Sequence, residues 1–165
     1  MIVVVMGVSG AGKTTVGRLI AERLDWRFIE ADDYHPQENV DKMAAGIPLE
    51  DADRWPWLER LNALLRECAE TGHDAVLACS ALKEAYRARL RAGIDDFRLV
   101  YLKGSFELIR ARVSERHHRY MPASLLESQF ATLEPPREAI TVNAADSPDV
   151  GAAKAVAALA AARTS

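Results

Sequence analysis

The chain has 165 residues, of which 49% are hydrophobic, and its formal net charge is −3. This length predicts a single domain, and the slightly acidic balance without a dense Lys/Arg block argues against nucleic acid as a partner. Two cysteines, Cys68 and Cys79, are too few for a disulfide framework or a zinc site. No apolar run is long enough for a membrane span and no signal peptide opens the chain, so we expect a soluble protein of a reducing compartment, without a membrane partner.

A glycine-rich segment directly follows the apolar run Ile2–Met6 and carries the strongest chemical signature. It fits G-x-x-x-x-G-K-[ST], with a predicted strand before it and a predicted helix after it. Glycines let a backbone approach phosphates closely, and a helix N-terminus attracts anions. We expect Lys13 to reach the β- and γ-phosphates of a nucleotide and the Thr14 hydroxyl to bind Mg²⁺. The predicted nucleotide-binding residues are Gly7, Val8, Ser9, Gly10, Ala11, Gly12, Lys13, Thr14 and Thr15.

Apolar, β-branched segments alternate with longer helical patterns along the whole chain. This alternation predicts a single α/β domain over residues 1–165 with a parallel sheet. We expect Asp149 to cap the last helix and Pro56 to lie in the first turn of another. The predicted strands cover residues 2–6, 27–30, 75–78, 98–102 and 139–142. The predicted helices cover residues 13–24, 39–45, 55–71, 82–92, 106–116, 123–132 and about 150–162.

Two insertions interrupt this alternation, and each begins where a predicted strand ends. In open α/β sheets, ligands bind beyond the carboxyl ends of the strands. We therefore interpret residues of about 33–57 as an acceptor-binding insertion and residues of about 112–135 as a lid.

Acidic residues at the end of the second predicted strand are candidates for orienting an attacking hydroxyl. Asp32 is the best of them, and alternation along a strand would place Glu30 and Asp32 on the side of the phosphate loop. Metal binding would then rest on Thr14, with Asp32 and Glu30 acting through water. The same alternation would point Asp33 to the other side. The alternative is that Glu30 and Asp32 only cap the following loop.

Arginines after the fourth predicted strand are candidates for neutralising transferred charge. Arg112 and Arg116 are four residues apart, so they share one face of a helix. Such groups stabilise the charge of a transferred phosphoryl group when a lid closes. The alternative is a solvated basic face paired with Glu107 and Glu115.

The third predicted strand ends without an acidic residue, at Cys79-Ser80. An acid at that position would hold a metal in many nucleotide-driven motors, and no Asn-Lys-x-Asp sequence for reading guanine is present. These two features favour a small-molecule kinase over a motor ATPase or a GTPase switch.

Several blocks then resemble one family. The sequence from His35 to Leu58 reads H-P-x-x-N-x-x-K-M-x-x-G-x-P-L-x-D-x-D-R-x-P-W-L, and it resembles the gluconate kinase (gluconokinase) family closely. The resemblance covers nearly the whole chain and thins only in the last helix. Its other parts are Cys79-Ser80-Ala81-Leu82-Lys83 with Tyr86-Arg87, Tyr101-Leu102-Lys103-Gly104, Met121-Pro122, Leu125-Leu126, Ser128-Gln129-Phe130 and Leu133-Glu134.

The resemblance implies ATP- and Mg²⁺-dependent phosphorylation of D-gluconate at its 6-hydroxyl. It also implies a P-loop NTPase fold similar to shikimate and nucleoside-monophosphate kinases, with a five-stranded parallel sheet and a mobile lid. Family members are cytoplasmic and often dimeric, which implies a homodimer here. Two positions depart from the family pattern. Glu30-Ala31-Asp32 stands where Asp-Gly-Asp is usual, and His118-Arg119-Tyr120 stands where the lid usually reads Gly-His-Phe.

Gluconate carries one carboxylate and several hydroxyls, so its site needs a cation and hydrogen-bonding groups. We expect Arg54, Lys83 and Arg87 to supply the cations, His35 to bind a sugar hydroxyl, and Asp32 to contact the acceptor. Alternatives remain open for three of these positions. His35 would otherwise stabilise a turn, Arg54 would pair with Asp51 or Asp53, and Trp55 and Trp57 fit core or pocket wall better than stacking platforms. At the level of function, a kinase for another small acceptor and a nucleotide-gated switch are the other interpretations.

Overall fold

A computed structural model describes residues 1–115 and 123–164. Strands and helices alternate along this chain, as the sequence pattern predicts. The strands are β1 (Ile2–Met6), β2 (Arg27–Glu30), β3 (Ala75–Ala78), β4 (Phe97–Lys103) and β5 (Ile140–Asn143). The helices are α1 (Lys13–Leu24), a 3₁₀ helix (Ala31–Tyr34), α2 (Gln37–Ala44), α3 (Asp51–Glu70), α4 (Glu84–Arg91), α5 (Phe106–Glu115), α6 (Ala123–Thr132) and α7 (Pro148–Arg163).

The five strands form one parallel sheet in the order β2-β3-β1-β4-β5. In the central strand β1, Val5 lies opposite Ala78 of β3 and opposite Val100 of β4. Because all strands run the same way, the loops that leave their carboxyl ends meet at one edge of the sheet. The predicted α/β fold with a five-stranded parallel sheet is confirmed.

Strand β1 divides the core into two layers because its side chains alternate between the two faces of the sheet. Its even-numbered residues pack with Leu58, Leu61 and Leu65 of α3. Its odd-numbered residues pack against α1, α5 and α7, through Ile20, Ile109 and Leu159. Cys68 is buried in the α3 layer, which confirms the core position predicted for it.

The starts predicted for α2, α3, α4 and α7 each differ from the structure by two or more residues. In α7 and α3 the difference also makes a predicted residue role wrong. The N-cap of α7 is Ser147, whose hydroxyl accepts a hydrogen bond from the Val150 N–H, and not Asp149. Pro148 takes the first helical position, where its fixed φ and missing N–H are tolerated, so the cap falls on the residue before it. Helix α3 begins at Asp51, earlier than predicted, because Glu50 and Asp53 form a capping box. Pro56 is therefore the sixth helical residue and lies beyond the first turn.

The lid predicted at about 112–135 is described only in part. Arg116, His118, Arg119 and Tyr120 lie outside the described residues. Among the described helices, none combines the length and apolarity that crossing a membrane would require.

Candidate active site at the carboxyl edge of the sheet

The glycine-rich loop between β1 and α1 has the backbone shape of a phosphate cradle. Gly10 and Gly12 have φ of 83° and 98°, in the left-handed region that favours glycine. A Cβ on Gly10 would lie 2.7 Å from Cγ2 of Val113 on α5, so only glycine fits there. Helix α1 begins at Lys13 and directs its N-terminus at the loop, as anion binding requires.

The Lys13 side chain binds the backbone of this loop. Its Nζ donates a hydrogen bond to the Val8 carbonyl at 3.0 Å. Burial lowers the pKa of Lys13, and the negative charges of Asp32 and Glu30 oppose that shift. The ammonium group therefore binds the loop and is within electrostatic range of both carboxylates.

Thr14 and Glu30 bring two side-chain oxygen atoms together beside the loop. The Thr14 hydroxyl donates to Oε2 of Glu30 at 2.5 Å. Hard oxygen donors suit Mg²⁺, which keeps several waters and is usually held by only one or two protein groups together with phosphates. In the described part of the chain, no three His, Cys, Asp or Glu side chains are grouped to hold a metal ion by themselves. Thr14 and Glu30 therefore fit a magnesium ion whose other ligands are mostly nucleotide phosphates and water.

Asp32 lies near the loop, but not for the reason that strand alternation predicts. Strand β2 ends at Glu30, and Asp32 belongs to the 3₁₀ helix that follows. Its side chain is 75% exposed, and its Oδ1 lies 3.9 Å from Nε2 of His35. The 3₁₀ turn thus leaves this carboxylate open toward solvent while its charge still acts on Lys13.

His35 is held in place by two neighbouring side chains. Its ring stacks on Trp57, with centroids 4.2 Å apart and planes 14° apart, and its Nδ1 lies 3.2 Å from Nδ2 of Asn39. Only 4% of the side chain is exposed. Burial lowers the pKa of His35, and Asp32 opposes this shift. Trp57 packs in the core and donates to the Ala31 carbonyl at 2.8 Å, so it forms the floor under the imidazole.

Arg54 and Lys83 come from distant parts of the sequence and meet around one carboxylate. Nζ of Lys83 lies 3.2 Å from both oxygens of Asp51, and Nη1 of Arg54 lies 4.0 Å from Oδ1. The Tyr86 hydroxyl donates to the same carboxylate. This hydroxyl bond and Lys83 lower the pKa of Asp51. Arg54 therefore does pair with Asp51, as the alternative interpretation holds. Lys83 is a second cation at the same carboxylate.

Arg87, the third predicted cation, lies in a different environment. Its side chain is only 3% exposed. Its guanidinium donates to the carbonyls of Ala81, Leu82 and Glu134 and to Oε2 of Glu84. These bonds occupy Nε and both terminal nitrogens of Arg87. Of the three predicted cations, Arg54 and Lys83 therefore meet at Asp51, whereas Arg87 binds the backbone and Glu84.

A depression of about 450 Å³ adjoins the phosphate loop. Its wall includes Gly10 and Gly12 of the loop, Arg112 of α5, and the segment that follows β5. The sequence analysis missed that segment, although its position after a strand end signals a ligand-binding loop. Its residues at the depression are Asn143, Ala144, Asp146, Ser147 and Pro148.

Comparison with known proteins agrees with this geometry. A family profile described as an AAA domain matches residues 2–136. A gluconokinase of Gluconobacter oxydans (strain 621H) is 49% identical over 150 residues, covering 89% of this chain and 84% of that protein. A probable gluconokinase of Xenopus tropicalis is 47% identical over 151 residues, covering 82% of this chain and 80% of that protein. The chain belongs to the gluconokinase family.

Solved structures agree with this assignment. The crystal structure of a gluconokinase from Sinorhizobium meliloti 1021 is 43% identical, with a TM-score of 0.86, over 97% of this chain and 91% of that chain. Shikimate kinase from Aquifex aeolicus, at 18% identity and a TM-score of 0.62, shares the fold alone. The resemblance to gluconokinases and the kinship of the fold with shikimate kinase are therefore both confirmed.

Proposed function

We propose that this protein transfers the γ-phosphoryl group of ATP to the 6-hydroxyl of D-gluconate, which gives 6-phosphogluconate and ADP. The observation that carries the proposal is the meeting of Arg54 and Lys83 around Asp51 and Tyr86. In a chain of the gluconokinase family, this cluster supplies two cations for the single carboxylate of the acceptor.

The acceptor would enter this cluster by exchanging partners with Asp51. Its carboxylate would take over the cations that Asp51 holds, and Asp51 and Tyr86 would then accept or share hydrogen bonds with sugar hydroxyls. His35, kept neutral by burial, offers a ring nitrogen to another hydroxyl. We propose that Arg87 positions the loop that carries Lys83 instead of touching the acceptor, because its donors are already engaged.

Lys13, Asp32 and the loop glycines would carry the transfer itself. Lys13 would leave the Val8 carbonyl to neutralise the β- and γ-phosphates, and Asp32 would accept the proton of the attacking hydroxyl or hold it in line. Thr14 and Glu30 would hold Mg²⁺, which neutralises phosphate charge when bound. The depression beside Arg112 is suited to the nucleoside part of ATP.

The charge-neutralising role of Arg112 and Arg116 and the closing lid are proposed from the sequence pattern. The cytoplasmic location and the homodimer are proposed from the resemblance to the family. Sedimentation at several protein concentrations tests the last of these directly.

A coupled assay of ADP release tests the proposed reaction. The protein is supplied with ATP, Mg²⁺ and one acceptor at a time: gluconate, other sugar acids, shikimate or a nucleoside monophosphate. Strong turnover with gluconate alone is the expected result. Turnover with another acceptor would keep the kinase chemistry and reject gluconate, whereas ATP binding without acceptor-dependent turnover would favour a nucleotide-gated switch.

A further inference from the structure

The Ser-Gln-Phe sequence at 128–130 lies in the segment predicted as a lid, and its glutamine contacts the phosphate loop in this structure. Oε1 of Gln129 accepts a hydrogen bond from the Ser9 N–H at 2.7 Å, and its Nε2 donates to the Ser9 hydroxyl at 3.0 Å. A backbone N–H can only donate, so the amide orientation is fixed by chemistry. One side chain of α6 thus binds both the N–H and the hydroxyl of a residue 120 positions away.

Helix α6 is held in place independently of this amide. Leu126, one turn before Gln129, is 1% exposed. The Phe130 ring packs edge-on against Phe106 of α5, with ring centroids 5.6 Å apart. On the α5 side, Val113 packs against Gly10, the loop residue next to Ser9. The phosphate loop is therefore fixed at adjacent residues by α5 through packing and by α6 through hydrogen bonds.

The chain that follows Gln129 reaches the acceptor side of the site. The Glu134 N–H donates to the Leu82 carbonyl at 2.8 Å, and the Glu134 carbonyl accepts from Nη2 of Arg87 at 2.8 Å. Oε1 of Glu134 also accepts from the Glu84 N–H at 3.2 Å. Residues 129–134 thus span from the phosphate loop to the two residues that flank Lys83, and we call this segment the brace.

We propose that Gln129 is a positioning residue for phosphoryl transfer, which sets the phosphate loop relative to the loop that carries Lys83 through the brace. This inference rests on the proposed function. Phosphoryl transfer depends on the placement of the two reactants, and an error of about 1 Å can cost about 100-fold in rate. A side chain that fixes the loop from outside the phosphate site can therefore change kcat without touching ATP or acceptor.

The test compares Gln129→Leu, Ser9→Ala and the double variant. Leucine keeps the approximate size of the side chain and removes both hydrogen bonds, while Ser9→Ala removes only the hydroxyl bond. We expect Gln129→Leu to lower kcat by about tenfold or more with a smaller change in the KM for gluconate. Because both residues act through one contact, the double variant is expected to be no worse than Gln129→Leu alone. Gln129→Asn, which keeps the amide but is too short for both bonds, serves if the leucine variant does not fold.

Asn62→Leu is the matched control for a merely structural effect. The Asn62 amide also joins two elements, by donating to the Leu90 and Ala92 carbonyls at 2.9 and 2.8 Å. We expect this control to lower the melting temperature and to leave kcat unchanged. The inference is overturned if Gln129→Leu keeps kcat within about twofold of the parent, or if its effect simply adds to that of Ser9→Ala. Turnover of the unsubstituted protein in the same assay tests the proposed function separately.

Discussion

At the scale of single residues, the two acids after β2 have different environments. Glu30 is bound by the Thr14 hydroxyl, whereas Asp32 has a largely exposed carboxylate that faces His35. A carboxylate that is open to solvent can accept a hydrogen bond from the hydroxyl of an entering acceptor. These different surroundings are the reason why we propose Glu30 for binding the metal and Asp32 for orienting the hydroxyl.

Replacing Asp32 tests this division. We expect Asp32→Asn to lower kcat by about 100-fold or more, because an amide cannot accept the hydroxyl proton, while the affinity for ADP changes little. Steady-state kinetics and calorimetric ADP titration measure the two quantities. The neighbouring exposed acid supplies the control, and Asp33→Asn is expected to keep the parent's rate. Equal activity of the two asparagine variants would assign the proton to another group.

At the scale of elements, the start of α3 fixes the residues that we propose as the acceptor site. Asp53 accepts from the Glu50 N–H at 2.9 Å and from Nζ of Lys42 at 2.8 Å, so it both caps α3 and ties it to α2. Lys42 lowers the pKa of Asp53, and Asn39 adds a bond to the Asp53 carbonyl at 2.9 Å. Asp51 and Arg54 lie in the same helical turn, so their positions depend on this cap.

Removing the cap is expected to loosen the acceptor site selectively. Asp53→Ala should raise the KM for gluconate several-fold and change the KM for ATP much less, because the phosphate loop is held by other elements. Glu70→Ala, at the opposite end of α3, removes an exposed ion pair with Arg66 and should change neither KM. Parallel rises in both KM values for Asp53→Ala would mean that the cap stabilises the whole domain instead.

At the scale of the whole molecule, both cysteines lie inside the two-layer core. Cys79 stands at the end of β3, where many nucleotide hydrolases carry an acid, and burial raises its pKa to about 12. A protonated, buried thiol is a poor nucleophile. Cys68 is a buried residue of α3 and lies in the same layer. Neither thiol is available for chemistry unless the domain opens.

Thiol titration with an aromatic disulfide reagent follows from this burial. We expect both thiols to stay unreactive at pH 8 in the native protein and both to react in concentrated guanidinium chloride. A thiol that reacts at once in native buffer would show local opening of the sheet layer that holds it. Cys79→Ser supplies the assignment if only one thiol reacts.

The amino-acid sequence by itself determined the sheet, the phosphate loop and the helices, because these depend on local patterns. Apolar β-branched runs predicted all five strands to within one residue at either end, and spacing alone located Gly10, Gly12 and Lys13. Helix starts were harder, since caps such as Ser147 depend on single side-chain bonds. The tertiary structure decided how the polar groups are shared. In the folded chain, Arg87 donates hydrogen bonds to backbone carbonyls, and Lys83 binds Asp51, which lies 32 residues earlier. Gln129 likewise forms a hydrogen bond with Ser9. A sequence records which groups can bond, but only the folded chain determines which acceptors come within reach.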